Sequence, residues 1–539
     1  MSRTISFTRL FIAAWFVLFA GFSSQAQLSR QDPNSGLKKY NQLMQIIKYA
    51  YVDSVDESKL VERSIIEMLK ELDPHSYYIS KKDVMRANEE LVGNFEGIGV
   101  QFEILRDTIN IVHPIPGGPS EKLGIMAGDK IVKIENEEVA GKKITNQFVF
   151  DRLRGKKGTK VNISILRQGK KDLMDYTIIR DKIPINSIDA SYMITPETGY
   201  INLTRFSSTS DKEFNDAIAK MKPQGLKNLI LDLRGNGGGY LNTAFELADE
   251  FLPEGKLIVY TKGLRSPRED FYATGHGVME KGKIIILINE GSASASEIVS
   301  GAIQDWDRGI VMGRRSFGKG LVQRPFQLPD SSQVRLTTAK YYTPSGRNIQ
   351  KPYKEGVDKY FEDFGNRLKH GELVSSDSIH FPDSLKFYTS QKRLVYGGGG
   401  IMPDIFLPLD TSKFTDYYMD LRRKNVINLY LSDYIDRNRG ELQKKYPDVK
   451  TFDKQFEVND AFMQDLLALA DKQGVKKNEE QYKISESFIK NQVKALIAQK
   501  LWDTNAFYMI INHEDEEVQK AVKVMEDDQM FKKLEISSR

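Results

Sequence analysis

Three short segments of the sequence combine glycine, serine and lysine residues in patterns that could catalyse acyl transfer. In the first, residues 232–239 (Asp-Leu-Arg-Gly-Asn-Gly-Gly-Gly), an apolar run leads into glycines, which let the backbone turn sharply and expose N–H groups. A dinucleotide-binding loop needs a third glycine where this sequence has Tyr240 in one register and Asn242 in the other. An oxyanion-binding loop and a plain tight turn remain as interpretations.

The second segment, residues 291–298 (Gly-Ser-Ala-Ser-Ala-Ser-Glu-Ile), lies between an apolar strand and a predicted helix over 294–305. A serine at this point could be a nucleophile whose oxyanion lies beside the positive helix N-terminus. It could equally be an ordinary N-cap, and with three alternating serines we expect at least one to be a cap. The sequence has no Gly-x-Ser-x-Gly nucleophile elbow.

The third segment, residues 317–323 (Phe-Gly-Lys-Gly-Leu-Val-Gln), places Lys319 between two glycines, which disfavour a helix. In an extended chain Lys319 and Gln323 face the same side. A lysine can accept a serine proton only when it is neutral, and burial lowers the pKa of a lysine from about 10.4 towards about 7–8. Gln323 could then hold the amine without adding an anion that keeps it charged. The alternative is a solvated surface lysine.

None of the six histidines competes convincingly for the role of base. His75 follows a proline that ends a predicted helix, His113 lies in a predicted β region, and His276 lies in a Thr-Gly-His-Gly loop. A Ser-His-Asp triad assembles in space and stays open as an alternative, with His276 as its best candidate. The sequence has no His-Glu-x-x-His motif or other clustered ligand spacing, so we predict neither a metal nor another cofactor.

The composition limits the class of protein before any element is placed. The chain has 539 residues, 78 Lys and Arg against 73 Asp and Glu, and no Cys. The absence of Cys excludes disulfides, thiolate zinc sites and a cysteine nucleophile. A net charge of +5 without a basic stripe gives no reason to expect a nucleic-acid partner.

The first 26 residues have the order of a secretory signal. Arg3 and Arg9 precede the apolar run 10–22, and the small residues Ser24 and Ala26 then mark a cleavage site after Ala26. The run is short for a membrane span of about 20 residues. We therefore expect an exported, periplasmic protein; the alternative is an uncleaved anchor that would tie the chain to the membrane and face the periplasm.

Changes of hydrophobic period divide the rest of the chain into four regions. Helical stripes run over residues 37–92, short alternating strands follow, then continuous apolar strands alternate with helices, and a charged helical pattern ends the chain. Apolar strands that alternate with helices favour a mostly parallel sheet covered on both faces. The predicted domains are a helical region 27–94, a β domain 95–183, an α/β core with a charged extension 184–410, and a helical region 411–539.

In these motifs and their order, residues 37–410 resemble the carboxy-terminal processing peptidases, or tail-specific proteases. The resemblance implies a multidomain α/β protein with a PDZ domain before a crotonase-like catalytic core and with helical terminal regions. It implies a serine endopeptidase that binds the C-terminal tails of substrate proteins and cleaves them through an acyl-enzyme. The motifs that carry it are Leu-Asp-Pro-His-Ser (72–76), Gly-Ile-Gly-Val (97–100), Gly-Asp-Lys-Ile-Val-Lys-Ile (128–134) and the three segments above.

Transferred residue by residue, the family pattern makes Ser294 the nucleophile, Lys319 its base and Gln323 the support for the lysine. It also implies oxyanion donors at the amides of Ala295 and Gly238, although the family usually has proline where this chain has Gly237. Consecutive amides beside a strand edge can bind a peptide carboxylate by strand addition. In this chain those amides belong to Gly97, Ile98, Gly99 and Val100.

Two alternatives come from other classes of protein. A non-catalytic PDZ adaptor would bind peptides or cell-envelope proteins, but it has no need of a lysine between glycines near a serine. An acyl-thioester enzyme on a related core would fit the oxyanion loops but not an exported PDZ module. The expected partners are protein and peptide tails, and the helical terminal regions suggest a homodimer or larger homo-oligomer.

Overall fold

The computed structural model of the protein describes residues 34–534 and residue 536. The predicted signal segment 1–26 lies outside the described residues. The chain divides after Leu69 into two compact units, which are described separately. In the first unit, helix α1 (Ser35–Ala50) is followed by helix α2 (Glu57–Lys70), which ends at the unit boundary. Both helices carry exposed apolar side chains, including Leu43 and Ile46.

The second unit begins with a difference from the sequence prediction. Residues 77–79 form strand β1 (Tyr77–Ile79), within the stretch that we predicted to be helical, and helix α3 (Val84–Val92) follows. Strand β1 pairs antiparallel with residues 333–335. A three-residue strand has too little period to separate it from flanking helices, so its distant partner decides its conformation.

Residues 94–184 form the predicted β domain. Strands β3, β4, β5, β7 and β8 form one antiparallel sheet, with β6 paired to β5, while β2 pairs with β9 where the domain begins and ends. The β3–β4 turn uses Arg106 and Asp107 at positive φ, as a tight hairpin turn requires. The elements are β2 (Asn94–Gly97), β3 (Val100–Leu105), β4 (Thr108–Pro114), α4 (Pro119–Lys122), β5 (Lys130–Ile134), β6 (Glu137–Glu138), α5 (Asn146–Leu153), β7 (Lys160–Leu166), β8 (Met174–Ile179) and β9 (Asp181–Pro184).

Residues 188–406 form the α/β core, which contains two larger sheets. The central sheet has the order β10-β11-β12-β15-β16-β21 and is parallel except for β10. The second sheet joins β1, β18, β13 and β14, with β17 paired to β18. The elements are β10 (Ile188–Met193), β11 (Thr198–Leu203), α6 (Ser210–Met221), β12 (Asn228–Asp232), α7 (Leu241–Asp249), β13 (Leu257–Lys262), β14 (Glu269–Tyr272), β15 (Ile284–Ile288), α8 (Ala295–Asp305), β16 (Ile310–Gly313), β17 (Leu321–Gln327), β18 (Gln333–Tyr342), α9 (Val357–Phe361), α10 (Asp363–Lys369), β19 (Lys386–Tyr388), β20 (Leu394–Tyr396) and β21 (Ile405–Phe406).

Both faces of the central sheet are covered, as its apolar strands predict. On one face α6, α7 and α8 pack against side chains such as Leu231 and Ile286. On the other face, Ile230 and Ile285 contact Val518 from the C-terminal helices. The last part of the chain, which we expected to be a separate helical region, thus supplies a layer of the core.

The C-terminal helices otherwise form a core of their own, built from residues 417–510. Aspartate or asparagine side chains cap several of their N-termini, including Asp448, Asn459, Asn478 and Asp503, which fixes where those helices begin. No helix among the described residues is long and apolar enough to cross a membrane. The helices are α11 (Asp416–Arg423), α12 (Val426–Lys445), α13 (Val449–Gln455), α14 (Asp460–Lys472), α15 (Glu479–Leu501), α16 (Thr504–Ile511), α17 (Glu516–Glu526) and α18 (Asp528–Lys533).

Candidate active site

The three alternating serines have different surroundings. Ser292 and Ser296 are fully buried, and their hydroxyls donate to Leu233 O at 2.8 Å and to Asn236 O at 2.9 Å. Ser294 is partly exposed, and its side chain lies at the backbone N–H of Glu297 in the capping box that begins the next helix. The outer two serines therefore tie this segment to the glycine loop, whereas the middle serine is the partly exposed one, at the helix N-terminus.

Ser294 stands immediately before α8 with φ at +55°, a conformation that is costly for a residue other than glycine. Strand β15 delivers the chain to this point, and the buried bonds of the neighbouring serines hold the turn. This position agrees with the predicted role of Ser294, which stays a prediction.

Glu297 connects the backbone at the predicted nucleophile to the backbone at the predicted base. Its buried carboxylate accepts the N–H of Ser294 at 2.8 Å, of Lys319 at 2.9 Å and of Gly318 at 2.7 Å, and the Ser316 hydroxyl at 2.5 Å. Burial raises the pKa of Glu297, while these four donors act in the opposite direction. The role of Glu297 was not predicted, although the spacing Ser-x-x-Glu at a helix start is a capping-box signature.

The glycine loop lies directly against the predicted nucleophile. A Cβ added to Gly238, whose φ is +100°, would stand 2.9 Å from Ser294 Cβ and 3.0 Å from Ala295 N, so only glycine fits there. The Ala295 amide belongs to the first turn of α8 and has no intrahelical acceptor. The Gly238 amide, however, donates to Asn236 Oδ1 at 2.9 Å. For Gly238 to serve as an oxyanion donor, as we predict, Asn236 would have to release that amide.

Lys319 contacts Gln323 as the sequence predicts. Its amine donates to Gln323 Oε1 at 2.9 Å. Burial lowers the pKa of Lys319, and the charge of Arg335 lowers it further, while Glu297 and Asp73 act to raise it. No described carboxylate accepts a hydrogen bond from this amine. These surroundings favour the neutral amine, the form in which a lysine can accept a proton.

A backbone carbonyl from the Leu-Asp-Pro-His-Ser motif orients Gln323. The Gln323 amide nitrogen donates to His75 O, so the amide oxygen faces Lys319. Asp73 fixes this turn by accepting from His75 N at 2.8 Å, Ser76 N at 2.9 Å and Thr337 Oγ1 at 3.0 Å. The sequence analysis considered only the His75 ring, and no local pattern could have indicated the role of its carbonyl.

The His75 ring lies in an aromatic enclosure and does not contact the predicted nucleophile. Its Nε2 is 2.7 Å from Tyr360 Oη, and the rings of Phe317 and Phe361 meet it edge to face. Burial, followed by the charge of Lys319, lowers the pKa of His75 to about 4. The ring is therefore neutral at ordinary pH and adds no positive charge beside Lys319.

The triad alternative finds no support in this geometry. His276 lies in the loop before β15, whose residues Val278 and Met279 hydrogen-bond to Glu250. None of the hydrogen bonds among the described residues joins His276 to Ser294. Lys319, by contrast, is joined to the Ser294 turn through its backbone, because Glu297 accepts the N–H of both residues.

Comparisons with known proteins agree with the family resemblance. Residues 197–360 match peptidase family S41 and residues 97–178 match the PDZ domain. The carboxy-terminal-processing protease of Bartonella bacilliformis is 36% identical over 345 residues, which cover 63% of this chain and 78% of the relative. The carboxy-terminal processing protease CtpA of Bacillus subtilis is 32% identical over 453 residues, covering 82% of this chain and 94% of the relative.

This chain belongs to the carboxy-terminal processing protease family. Its fold class, an α/β peptidase core with a PDZ domain and helical terminal regions, is confirmed, while the crotonase-like detail stays a prediction. Residues 20–83 match the N-terminal domain of the activating protease CtpB, and residues 417–503 match a family of unknown function, DUF8443. The solved photosystem II D1 C-terminal processing protease is 25% identical, covers 67% of this chain and 84% of its own, and superposes with a TM-score of only 0.34.

The predicted carboxylate-binding segment of the PDZ domain is residues 97–100. Ile98 and Gly99 lie between β2 and β3; Ile98 is next to the antiparallel bridge between Gly97 and Arg154, and the Gly99 amide has no backbone acceptor among the described residues. Gly99 has φ at +72°, and an added Cβ would lie 2.9 Å from Ile183 Cδ1. Gly97 belongs to β2 and Val100 begins β3, so the segment leads into an edge strand of the sheet. The binding role of these residues stays a prediction.

Proposed function

We propose that this protease cleaves peptide bonds with a Ser294–Lys319 dyad through an acyl-enzyme. The observation that carries the proposal is the environment of Lys319, whose pKa is lowered by burial and whose amine is held by the neutral amide of Gln323. A neutral amine can take the Ser294 proton at a moderate pH. The protein's membership of a peptidase family makes this chemistry the natural use of that amine.

In the proposed first step, the Ser294 hydroxyl loses its proton to Lys319 and its oxygen attacks the carbonyl carbon of the substrate peptide bond. The Ala295 amide donates to the oxyanion, and a glycine-loop amide adds a second donor once Asn236 has moved. Each such donor is worth about 3 kcal/mol in measured cases. The lysine then gives its proton to the leaving amine, and an acyl-enzyme remains.

In the second step a water molecule loses a proton to Lys319 and attacks the acyl carbon. The ester bond to Ser294 breaks, and the serine oxygen recovers the proton from the lysine. The same neutral amine thus acts once in each half of the reaction. Glu297 keeps both backbones in register, because its carboxylate accepts the amides of Ser294 and Lys319 together.

We also propose that the PDZ domain binds the C-terminal tail of the substrate by strand addition. The Gly99 amide supports this, since it has no backbone acceptor among the described residues and lies directly before an edge strand to which a peptide can add. Export to the periplasm follows from the predicted signal 1–26. We keep a homodimer or larger assembly as a proposal, which light scattering on the purified mature chain would test.

The experiment that tests the dyad is a side-by-side digest. Purified residues 27–539, with their Ser294→Ala, Ser292→Ala and Lys319→Ala variants, are incubated with casein and with a peptide that ends in a free carboxylate, and fragments are followed by mass. We expect cleavage by the unaltered chain and none by the Ser294→Ala and Lys319→Ala variants. Ser292→Ala should still cleave. Cleavage by Ser294→Ala would refute the assignment.

A peptide-binding measurement separates the protease from the adaptor alternative. An adaptor would bind the peptide through the PDZ domain, and neither the unaltered chain nor any variant would cleave it. A protease with the proposed tail recognition would lose affinity when the terminal carboxylate is amidated, and the Ser294→Ala variant would still bind. Failure of both cleavage and binding would remove the whole proposal.

A further inference from the structure

The carboxyl ends of three adjacent parallel strands carry charged residues just before the three predicted catalytic loops. Strands β12, β15 and β16 are neighbours in the central sheet. Arg234 follows β12, Glu290 follows β15, and Arg314 follows β16. Within about five residues of these positions come Gly238, the predicted nucleophile and the predicted base.

The C-terminal helix α17 connects these strand ends. Glu517 accepts from Arg234 Nη1 at 2.7 Å and also from Arg314 Nη1. Arg314 in turn donates from Nε to Glu290 at 2.9 Å. One carboxylate therefore bridges the first and third strand ends, and through Arg314 it reaches the second.

The rest of the network is ordered and largely buried. The Arg234 guanidinium also pairs with Asp232 at 2.6 Å and with Asp515 at 3.0 Å, and only 4% of the Arg314 side chain is exposed. Asp515 caps α17 by accepting from Val518 N. Planar guanidinium groups held by several carboxylates have few alternative positions, so the network resists movement of the loops that it anchors.

The apolar face of α17 holds the helix on the sheet without help from Glu517. Val518, Ala521 and Val524 lie in the cluster that covers the strands. Removal of the Glu517 charge therefore breaks the bridge between strand ends but leaves the helix docked. The Glu517 bridge between the strand ends is therefore not needed to hold α17 on the sheet.

We propose that Glu517 is a positioning residue for the active site, through which the C-terminal region holds the glycine loop, the nucleophile turn and the lysine loop in register. The proposal rests on the proposed function for its catalytic consequence, but the loop order can be measured without catalysis. It gives a role to a part of the chain for which the sequence suggested none.

The test compares the full chain with Glu517→Gln and with the matched control Glu516→Gln. Glu516 lies in the same helical turn but is exposed, and it pairs at the surface with Lys413 at 2.9 Å. Hydrogen exchange measured by mass spectrometry should become faster in segments 234–240, 290–296 and 314–320 of Glu517→Gln only. No change in these segments, or an equal rise across the whole core, would overturn the proposal.

Kinetics supply the second readout. The kcat of Glu517→Gln for a peptide substrate should fall about ten- to hundredfold with KM within about twofold, because small displacements of catalytic groups have effects of that size. A folded variant with wild-type kcat would also overturn the proposal. If the unaltered chain cleaves nothing, the proposed function fails, while the exchange measurement still decides whether Glu517 orders the loops.

Discussion

The loop that carries Lys319 and the segment that carries Lys351 both withdraw a lysine amine from solvent, but they give it different partners. Lys319 donates to the neutral amide of Gln323 at 2.9 Å. Lys351 donates to the Asp363 carboxylate at 2.9 Å and to Tyr360 O at 3.0 Å, and it lies 4.1 Å from two aromatic ring centroids.

Burial lowers the pKa of both lysines, yet only Lys351 has a hydrogen-bonded carboxylate that acts to raise it. A carboxylate partner stabilises the ammonium, whereas an amide holds the amine without favouring its charged form to the same extent. The comparison indicates that the partner, more than burial, separates a lysine suited to act as a base from one suited to hold a fold together.

The largest expected effect distinguishes the two lysines by activity. Lys319→Met should lower kcat/KM by about four to six orders of magnitude, because removing one member of a catalytic unit disables the whole unit. Lys351→Met should lower it less than about tenfold, since that amine does not contact the nucleophile turn. Steady-state cleavage of one peptide by both variants checks this, and comparable losses in the two would erase the distinction.

The next prediction gives Lys319 a carboxylate partner like that of Lys351. Activity of the unaltered chain should rise with pH and level off below the ordinary lysine pKa of about 10.4, because the lowered pKa of Lys319 frees the amine earlier. Gln323→Glu supplies the carboxylate that Lys351 has, and it should move the rising limb upward by about one unit or more.

The matched control for that shift is Gln323→Met, which loses the same hydrogen bonds without adding a charge. It should lower the rate without moving the limb upward. A pH profile of kcat/KM for the three forms is the measurement. An upward shift of equal size in Gln323→Met would mean that the charge of the partner is irrelevant.

Stability should change in opposite directions at the two lysines. At pH 7 the lowered pKa of Lys319 means that folding penalises its ammonium, so Lys319→Met should raise the free energy of unfolding. This gain should shrink as the pH rises from the lowered pKa of Lys319 towards the ordinary lysine pKa of about 10.4, above which the amine is neutral in both states.

Lys351→Met should instead lower the free energy of unfolding by about 1–2 kcal/mol, because Tyr360 O loses its donor and Asp363 keeps only Arg367 as a cationic partner. Its own burial cost keeps the loss at that modest size. Urea unfolding of the two variants at pH 7 and pH 10 measures both effects. A stabilised Lys351→Met would contradict the structural role of that lysine.

The smallest expected effect concerns the histidine between the two lysines. Because the His75 carbonyl, and not its ring, holds Gln323, His75→Gln should lower kcat less than about tenfold. The pKa of the ring is lowered to about 4, so the folded core should lose stability as the pH falls from 6.5 to 4. The free energy of unfolding of the unaltered chain and of His75→Gln is measured across this pH range. It should fall with the pH in the unaltered chain, and this contribution should be absent from the variant.

Part of the site could be read from local sequence because its members are close in the chain. Lys319 and Gln323 are four residues apart in an extended segment, and the contact between them forms as that spacing predicts. The alternation in β3 and β4 and the apolar run of β15 likewise specified a hairpin and a buried strand. In each case the period of the side chains decides which face is buried.

Other members of the site could not be read, because their partners are remote in sequence. The His75 carbonyl meets Gln323 across 248 residues, and Arg234 meets Glu517 across 283. Nor could the serine pattern show that the hydroxyls of Ser292 and Ser296 donate to buried carbonyls, whereas Ser294 is the partly exposed serine. Strand β1 was missed for the same reason, since its pairing partner lies in β18.

The sequence by itself determined the family, the order of the regions, the periods of the main strands and helices, and the identity of the candidate serine, lysine and glutamine. The tertiary structure alone decided which carboxylate joins the nucleophile turn to the lysine loop, that the Gly238 amide is occupied by Asn236, and that the last helices cover the catalytic sheet. Local conformation follows from neighbouring residues, but burial and charge depend on which distant segments meet. The chemistry of a lysine depends on burial and charge, so its role is settled only after the chain has folded.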